Sequence, residues 1–285
     1  MAWAFAGRSA LALAVVAPLS DVASGIESSA NAAAPTPGGP FGLFNLGNAP
    51  PGPPGRFILG DGVRGGIKIG ENESPRPTDR VFFNYNFFSD GTYHLHRETI
   101  GFEKTFLDGD ASIGLRLPFV QDNFRSDIGD ISVILKGILY GNADTGNLLS
   151  GGLEISIPTS GGSAVAQPFF GWTMQPPGGP FFLQGFHSVL IPLQSGGSTL
   201  LANSIGIGAS LPGSGPGGFI AGIVPTVELH LNTPLQAVQS SSLDAAIGGH
   251  IVFVNGSSLG LGVALPLAGP KPYDFEATVN FNFQF

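Results

Sequence analysis

An all-β fold, a transmembrane antiparallel up-and-down β-barrel of about twelve strands, is predicted by three features of the sequence. Only 11% of the 285 residues are charged, against roughly a quarter in an ordinary soluble domain, and the mean hydropathy is positive at +0.25. No run of about 18 apolar residues is present, so membrane-spanning helices do not explain this hydropathy. Apolar and polar residues instead alternate from residue 80 onward, which is typical of strands with one face toward lipid.

The composition excludes several classes of function. The chain is rich in Gly (44), Pro (24) and Phe (23), which favours strands and turns over helix interiors. It has no Cys, so disulfides, thiolate catalysis and Cys-ligated zinc are excluded. The net charge is −8 and Lys and Arg form no cluster, so the sequence predicts no nucleic-acid partner.

The first 34 residues are predicted to be an export signal. Arg8 precedes the apolar stretch SALALAVVAPL, which has the length of a signal peptide and is too short to span a membrane as a helix. Small residues suited to cleavage follow at 22–24 and at 30–34.

Residues 35–79 are rich in Pro and Gly, and regular strand pairing is excluded over much of this stretch. Two interpretations are open. The segment is either an extended periplasmic linker, as is usual for Pro-rich stretches without a period, or a plug. In the second case the apolar side chains available for docking are Phe41, Leu43, Phe44 and Leu46.

The barrel is predicted over residues 80–285. In the third alternating segment Leu115 faces one side and Arg116 the other, and the same alternation recurs throughout. A soluble sandwich explains the local pattern equally well, but the long strands, the lack of charge and the absence of exposed edges favour a barrel. The twelve segments lie near 81–88, 93–107, 111–119, 131–139, 150–158, 168–175, 181–191, 200–211, 223–231, 243–253, 258–267 and 274–285.

The polar face of these segments carries charged side chains, which we assign to the barrel lumen. They either line an aqueous pore or pair with one another to fill a narrow barrel, because buried charges must be hydrated or paired. Twelve strands enclose a lumen between the filled eight-stranded type and the open porins. The lumen candidates are Glu103, Arg116, Lys136, Glu154, Glu228, His230, Asp244, His250 and Glu276.

The last strand, ATVNFNFQF, ends with alternating phenylalanines at Phe281, Phe283 and Phe285. A soluble protein seldom leaves so apolar a terminus, since terminal residues are usually solvated. The pattern resembles the C-terminal signal by which outer-membrane barrels are recognised by their assembly machinery. The resemblance implies that this machinery is a partner of the chain.

Several segments resemble a group of outer-membrane barrels similar to those associated with phenol-degradation pathways, often labelled transporters. The segments are PRPTDRVFFNYNFF, GFEKTFLDG, LRLPF, LSGGLEISIPT and FFLQGFHSVLIP. The resemblance covers roughly residues 75–285 and rests on strand texture. It implies an outer-membrane barrel that passes small organic molecules, and it transfers no binding residue.

Two groups of residues resemble a metal site and a catalytic dyad, but neither pattern supports such a site. His94, His96 and Glu98 share a face at a spacing that suits zinc, but that face is the lipid side, so a solvated strand end is the better interpretation. His187 and Ser188 are adjacent on a strand and point to opposite faces, so they cannot form a dyad. The sequence predicts no metal, cofactor or catalytic residue, and no enzyme.

The leading functional hypothesis is an outer-membrane channel or transporter that passes small molecules by passive diffusion through a polar lumen. Lipid of the outer membrane would surround it. The alternative is a structural barrel that anchors envelope components and conducts nothing, and a third, weaker hypothesis is an outer-membrane hydrolase.

Overall fold

The structure, a computed structural model, describes residues 72–285 apart from 92, 124–125, 143–144, 160–163, 177–178, 195–197, 215–216, 236–239 and 272. The predicted export signal and most of the predicted linker or plug, including its four docking candidates, lie outside the described residues. In the part that is described, no helix has the length and hydropathy needed to cross a membrane.

Within the described residues the alternating segments form fourteen strands, and two of these strands are very short. Their bounds are β1 (Arg80–Asp90), β2 (Tyr93–Phe106), β3 (Ala111–Asp122), β4 (Ser126–Ile128), β5 (Ile131–Gly141), β6 (Leu148–Ile157), β7 (Val165–Met174), β8 (Phe181–Pro192), β9 (Leu200–Ala209), β10 (Leu211–Pro212), β11 (Ile220–Pro234), β12 (Ser242–Phe253), β13 (Ser258–Ala268) and β14 (Phe275–Gln284).

The ten-to-fifteen-residue strands close into one antiparallel barrel. Each pairs with the next, and β1 pairs with β14 from Arg80 opposite Gln284 to Ser89 opposite Phe275, so the ring has no free edge. The short strands continue ring strands: β4 pairs with β3 in line with β5, and β10 pairs with β11 in line with β9. Among the described residues the barrel therefore has twelve strands, and the predicted fold class is confirmed.

The two faces of the barrel differ sharply. Outward residues are apolar and exposed, as at Ile100 (51%), Leu115 (47%) and Ile247 (65%). Their inward neighbours Thr99 and Arg116 are almost fully buried. Because side chains alternate along a strand, this contrast places the apolar face on the outside of the ring, where lipid can cover it.

Four phenylalanines inside the barrel each cover a glycine on the neighbouring strand. A Cβ atom added to any of these glycines would lie 2.0–2.6 Å from the ring. The absence of a side chain is therefore what lets each ring lie against the backbone opposite. The directly paired residues are Phe82 and Gly101, Phe169 and Gly152, Phe186 and Gly171, and Phe182 and Gly208.

The rim at which β1 begins and β14 ends is called the chain-end rim. The connection between β2 and β3 at this rim is a tight turn of residues 107–110, in which Leu107 and Asp108 have positive φ angles of 53° and 56°. The connection between β3 and β5, at the opposite rim, is longer and contains β4. Residues 72–79, called the lumen segment, precede β1 and reach the lumen from the chain-end rim.

Candidate functional site

All nine lumen candidates lie on the inward face of the barrel. Each has at most 4% of its surface exposed. The structure brings Glu103, Arg116 and Lys136 together near the chain-end rim, since β2, β3 and β5 are consecutive in the ring. The other candidates are spread over β6, β11, β12 and β14.

Glu73 of the lumen segment lies among three inward cations. One carboxylate oxygen, Oε2, accepts a hydrogen bond from Nη2 of Arg116 at 2.6 Å and lies 3.5 Å from Nη2 of Arg80. The other, Oε1, accepts a hydrogen bond from Nζ of Lys136. These residues, with Glu103, are called the Glu73 cluster.

Glu103 belongs to the barrel wall and pairs with two of the same cations. Its Oε2 accepts a hydrogen bond from Nε of Arg80 at 2.9 Å, and its Oε1 lies 2.9 Å from Nζ of Lys136. Ser112 donates a further hydrogen bond to Oε1 at 2.7 Å. The carboxylate is therefore fixed by strands β1, β3 and β5, and does not depend on Glu73 for its partners.

The lumen segment is held by polar contacts on both sides of Glu73. Nδ2 of Asn72 donates to Oδ1 of Asn84 at 2.6 Å and to Oδ1 of Asn282 at 3.2 Å. The carbonyl of Ser74 accepts a hydrogen bond from Nζ of Lys136 at 2.8 Å. This part of the segment therefore binds the wall through hydrogen bonds and ion pairs, and Pro75 and Pro77 beside it are buried as well.

Three cations and two carboxylates share the Glu73 cluster, and all of them are at most 3% exposed. Removing such charges from water is costly, so each charge needs an opposite charge and hydrogen bonds. The space left beside Glu73 is a cavity of about 10 Å³, lined also by Glu103 and Arg116, which has room for one water molecule at most. The cluster is consequently filled.

A second cluster closes around Tyr273, in the connection that precedes β14. Its ring meets Phe88 edge to face at 5.6 Å, and its hydroxyl donates a hydrogen bond to Oδ1 of Asp244 at 3.0 Å. Burial, followed by the charges of Asp244 and Glu276, raises the pKa of the phenol well above its ordinary value. The hydroxyl therefore stays protonated and remains a donor to Asp244.

Glu228, His230 and Glu276 make local pairs. Nε2 of His230 lies 3.2 Å from Oε2 of Glu228, and Nδ1 of His230 lies 2.9 Å from the Ser204 hydroxyl. Oε1 of Glu276 accepts a hydrogen bond from Nδ2 of Asn86 at 2.6 Å. These pairs do not join the Glu73 cluster.

Glu73, Arg80 and Tyr273 are lumen residues that sequence reasoning missed. The sequence places Glu73 in the segment interpreted as linker or plug and indicates no contact for it. The charges give a usable signal, because the three cations of the Glu73 cluster outnumber the two inward carboxylates of nearby strands, Glu103 and Glu154. An excess of buried cations requires an anion from elsewhere in the chain.

The histidines of the HLH motif lie on the outward face, in an aromatic cluster. The Tyr85 hydroxyl is 2.7 Å from Nδ1 of His96, and the Phe87 ring is 5.5 Å from His94 and 5.2 Å from His96. Within the described residues no group of three or more metal-binding side chains exists. This position suits a membrane interface, where amphipathic rings concentrate.

His187 and Ser188 lie on opposite faces and have separate partners. His187 accepts a hydrogen bond from Nε1 of Trp172 at 3.0 Å, on the outward face. Ser188 is buried inside the barrel and accepts a hydrogen bond from Gln167 at 2.9 Å. The two side chains do not form a dyad with each other.

No family model matches the chain, and no curated protein matches it. Solved structures do. The NanC porin is 7% identical with a TM-score of 0.53, covering 72% of this chain and 100% of that one. The KdgM porin is 9% identical with a TM-score of 0.50, covering 72% and 99%. An outer membrane channel from Pseudomonas putida F1 is 10% identical with a TM-score of 0.52, covering 73% and 96%.

The chain has the fold of outer-membrane barrels. At these identities the likeness carries the fold alone, and it agrees with the apolar outward face described above. The prediction of an outer-membrane β-barrel is confirmed at this level. Membership of the group similar to phenol-pathway barrels stays a prediction.

Proposed function

We propose that the barrel is an outer-membrane channel for small solutes, and that the lumen segment holds it closed in the conformation described. Solutes would pass by diffusion along the polar inward face once the segment leaves the lumen. The observation that carries this proposal is the contact between Glu73 and Arg80, Arg116 and Lys136.

Two features support a segment that can leave. The contacts of residues 72–74 with the wall are hydrogen bonds and ion pairs, which water can replace in an opened lumen. The inward face beyond the cluster also stays polar, with Ser150, Gln167 and Thr226 buried along three different strands. A barrel filled only for stability has no need of so many polar side chains.

A non-conducting structural barrel is the second candidate. The filled Glu73 cluster and the packing of Tyr273 on Phe88 favour it, because both narrow the lumen. The two candidates differ in one measurable property, the current through a single barrel in a membrane.

The test is single-channel recording of the full chain in planar bilayers, comparing the wild type with Glu73→Gln. We expect rare openings in the wild type and openings at least severalfold more frequent in the variant, because the neutral amide loses its ion pairs with Arg116 and Lys136. Glu98→Gln is the matched control, since Glu98 lies on the outward face of β2. If all three proteins remain silent, the structural barrel is the better description.

The C-terminal strand is proposed to be the part read by the assembly machinery. Phe285 is 57% exposed. Its ring stacks on the Phe102 ring, with the two ring centres 6.1 Å apart, and Nζ of Lys104 lies 5.3 Å from the centre of the Phe285 ring. Replacing this half-exposed ring removes about 1 kcal/mol of hydrophobic stabilisation. Its effect on the finished fold should therefore be small.

We therefore predict that Phe285→Ser lowers the amount of protein in the outer membrane severalfold in cells, while the variant refolded from urea into micelles loses little stability. Phe106→Ser is the control, since Phe106 is an outward aromatic of β2 near the same rim. It should reach the membrane in normal amounts. Equal losses for the two variants would mean that Phe285 acts through packing.

A further inference from the structure

The Glu73 cluster has the composition of an anion-binding site in which the anion is supplied by the chain itself. Arg80, Arg116 and Lys136 project from β1, β3 and β5, and each is at most 1% exposed. They converge on one carboxylate that is not part of the barrel wall. We propose that these three residues form a site for carboxylate solutes in the lumen, and that Glu73 is its displaceable occupant.

The geometry separates the permanent anion from the exchangeable one. Glu103 loses only the hydrogen bond from the Thr78 amide, at 3.2 Å, when the lumen segment moves, because its own strand and Ser112, at 2.7 Å, still hold it. Glu73 reaches the cations from a segment outside the sheet. Its departure takes a partner from each of the three cations and leaves Glu103 as their remaining carboxylate within the cluster.

The vacated site requires an anion for an energetic reason. Buried cations that lose their partner are strongly destabilised unless water or another anion replaces it. Glu154, inward on β6, contributes a further carboxyl near the site but is held by its own strand, with Ser156 as a hydrogen-bond donor at 3.3 Å. An arriving solute carboxylate therefore restores the pairing and lowers the free energy of the open state.

The donors also match the shape of a carboxylate. Arg116 donates a hydrogen bond to one carboxylate oxygen of Glu73 and Lys136 donates to the other, so the two oxygens have separate donors. The Arg80 guanidinium lies over the Phe82 ring, 4.7 Å from its centre, which helps to hold it beside the site. A neutral amide of the same size offers only one acceptor oxygen and no charge, so we expect the site to reject it.

Space allows only one occupant. The cavity beside Glu73, of about 10 Å³, cannot hold a second carboxylate. Solute and Glu73 therefore compete, and the wild type binds a carboxylate solute only with the lumen segment displaced. This inference rests on the proposed channel for its role in transport, but the site itself can be tested without any current.

The test is chemical rescue of Glu73→Ala in detergent, since propionate supplies the missing carboxylate. We expect the melting temperature of the variant to fall by several degrees and propionate to restore most of the loss, because a ligand that binds only the folded state stabilises it. Propionamide should restore none, sodium chloride at equal ionic strength serves as the blank, and the wild type should not respond. The variant Glu73→Ala with Arg116→Gln should not be rescued.

A second readout covers the case in which the alanine variant does not fold. Glu73→Gln keeps the side-chain volume, and in a KCl gradient its reversal potential should move toward that of chloride relative to the wild type. If propionate does not rescue the variant and the reversal potential does not shift, the anion site is overturned. The channel proposal is then judged by the single-channel recordings alone. Rescue without current in any variant would remove the channel and retain the site.

Discussion

Glu103→Gln is expected to lower the free energy of unfolding by about 3–5 kcal/mol, because it removes one partner of two buried cations. Arg80 and Lys136 each lie 2.9 Å from this carboxylate, and the side chains are at most 4% exposed. The neutral amide cannot balance either charge. Urea unfolding from phospholipid vesicles, followed by tryptophan fluorescence, measures the difference.

The neighbouring residue gives a matched control. Lys104 pairs with Asp79 at 2.5 Å, but its side chain is 51% exposed at the chain-end rim. The hydrogen bond from Lys104 lowers the pKa of Asp79 to about 2, so the pair is ionised at neutral pH. Lys104→Gln should nevertheless change stability by only about 0–1 kcal/mol, as exposed ion pairs do. Equal losses at 103 and 104 would indicate that water reaches the Glu73 cluster.

Leu115→Arg is expected to destabilise the barrel by about 2–4 kcal/mol, the range found for a cation at the midplane of a bilayer. Leu115 is outward on β3 and pairs with outward residues of both neighbouring strands, Phe102 and Val133. The charged group would be taken from water into hydrocarbon. The measurement is the same vesicle unfolding experiment.

Leu107→Arg is the control for this substitution. Leu107 has the same side chain as Leu115 and is 70% exposed, but it lies in the turn between β2 and β3, outside the strands. Its variant should lose less than about 1 kcal/mol. An inward position such as Ser156 is unsuitable for comparison, because this serine is 4% exposed and bonded to Ser132 at 2.9 Å. Similar losses at 107 and 115 would contradict a lipid-covered outward face.

The strands and their faces could be predicted because alternation is a local property. The alternation at Leu115 and Arg116 needs no knowledge of the partner strand, and twelve such segments with turns between them leave few architectures. The positions at which strands begin and end are predicted less accurately. The sixth segment is predicted from residue 168, whereas the corresponding strand β7 begins at Val165, because strand ends depend on pairing with the neighbour.

The interior contacts could not be predicted, because they join distant parts of the chain. Glu73 is 43 residues from Arg116 and 63 from Lys136, and no periodic pattern marks the lumen segment. Tyr273 lies in a connection, where alternation says nothing about direction. Whether charges line a pore or pair with each other is decided by such contacts, so both interpretations stayed open in the sequence.

The phenylalanine–glycine pairs also help to fix the register of four of the twelve strand pairings, and register bears on the circumference of the barrel. In a closed sheet the registers add up around the ring, and their sum, with the number of strands, determines strand tilt and radius. A slip that preserves the faces must be two residues long, and between β1 and β2 it would bring Phe82 opposite Thr99 or Glu103. The ring would then meet a side chain where it now meets bare backbone. A change of register at the pairings of Phe82, Phe169 and Phe186, which would alter strand tilt and radius, is therefore opposed by a clash between a phenylalanine ring and a side chain.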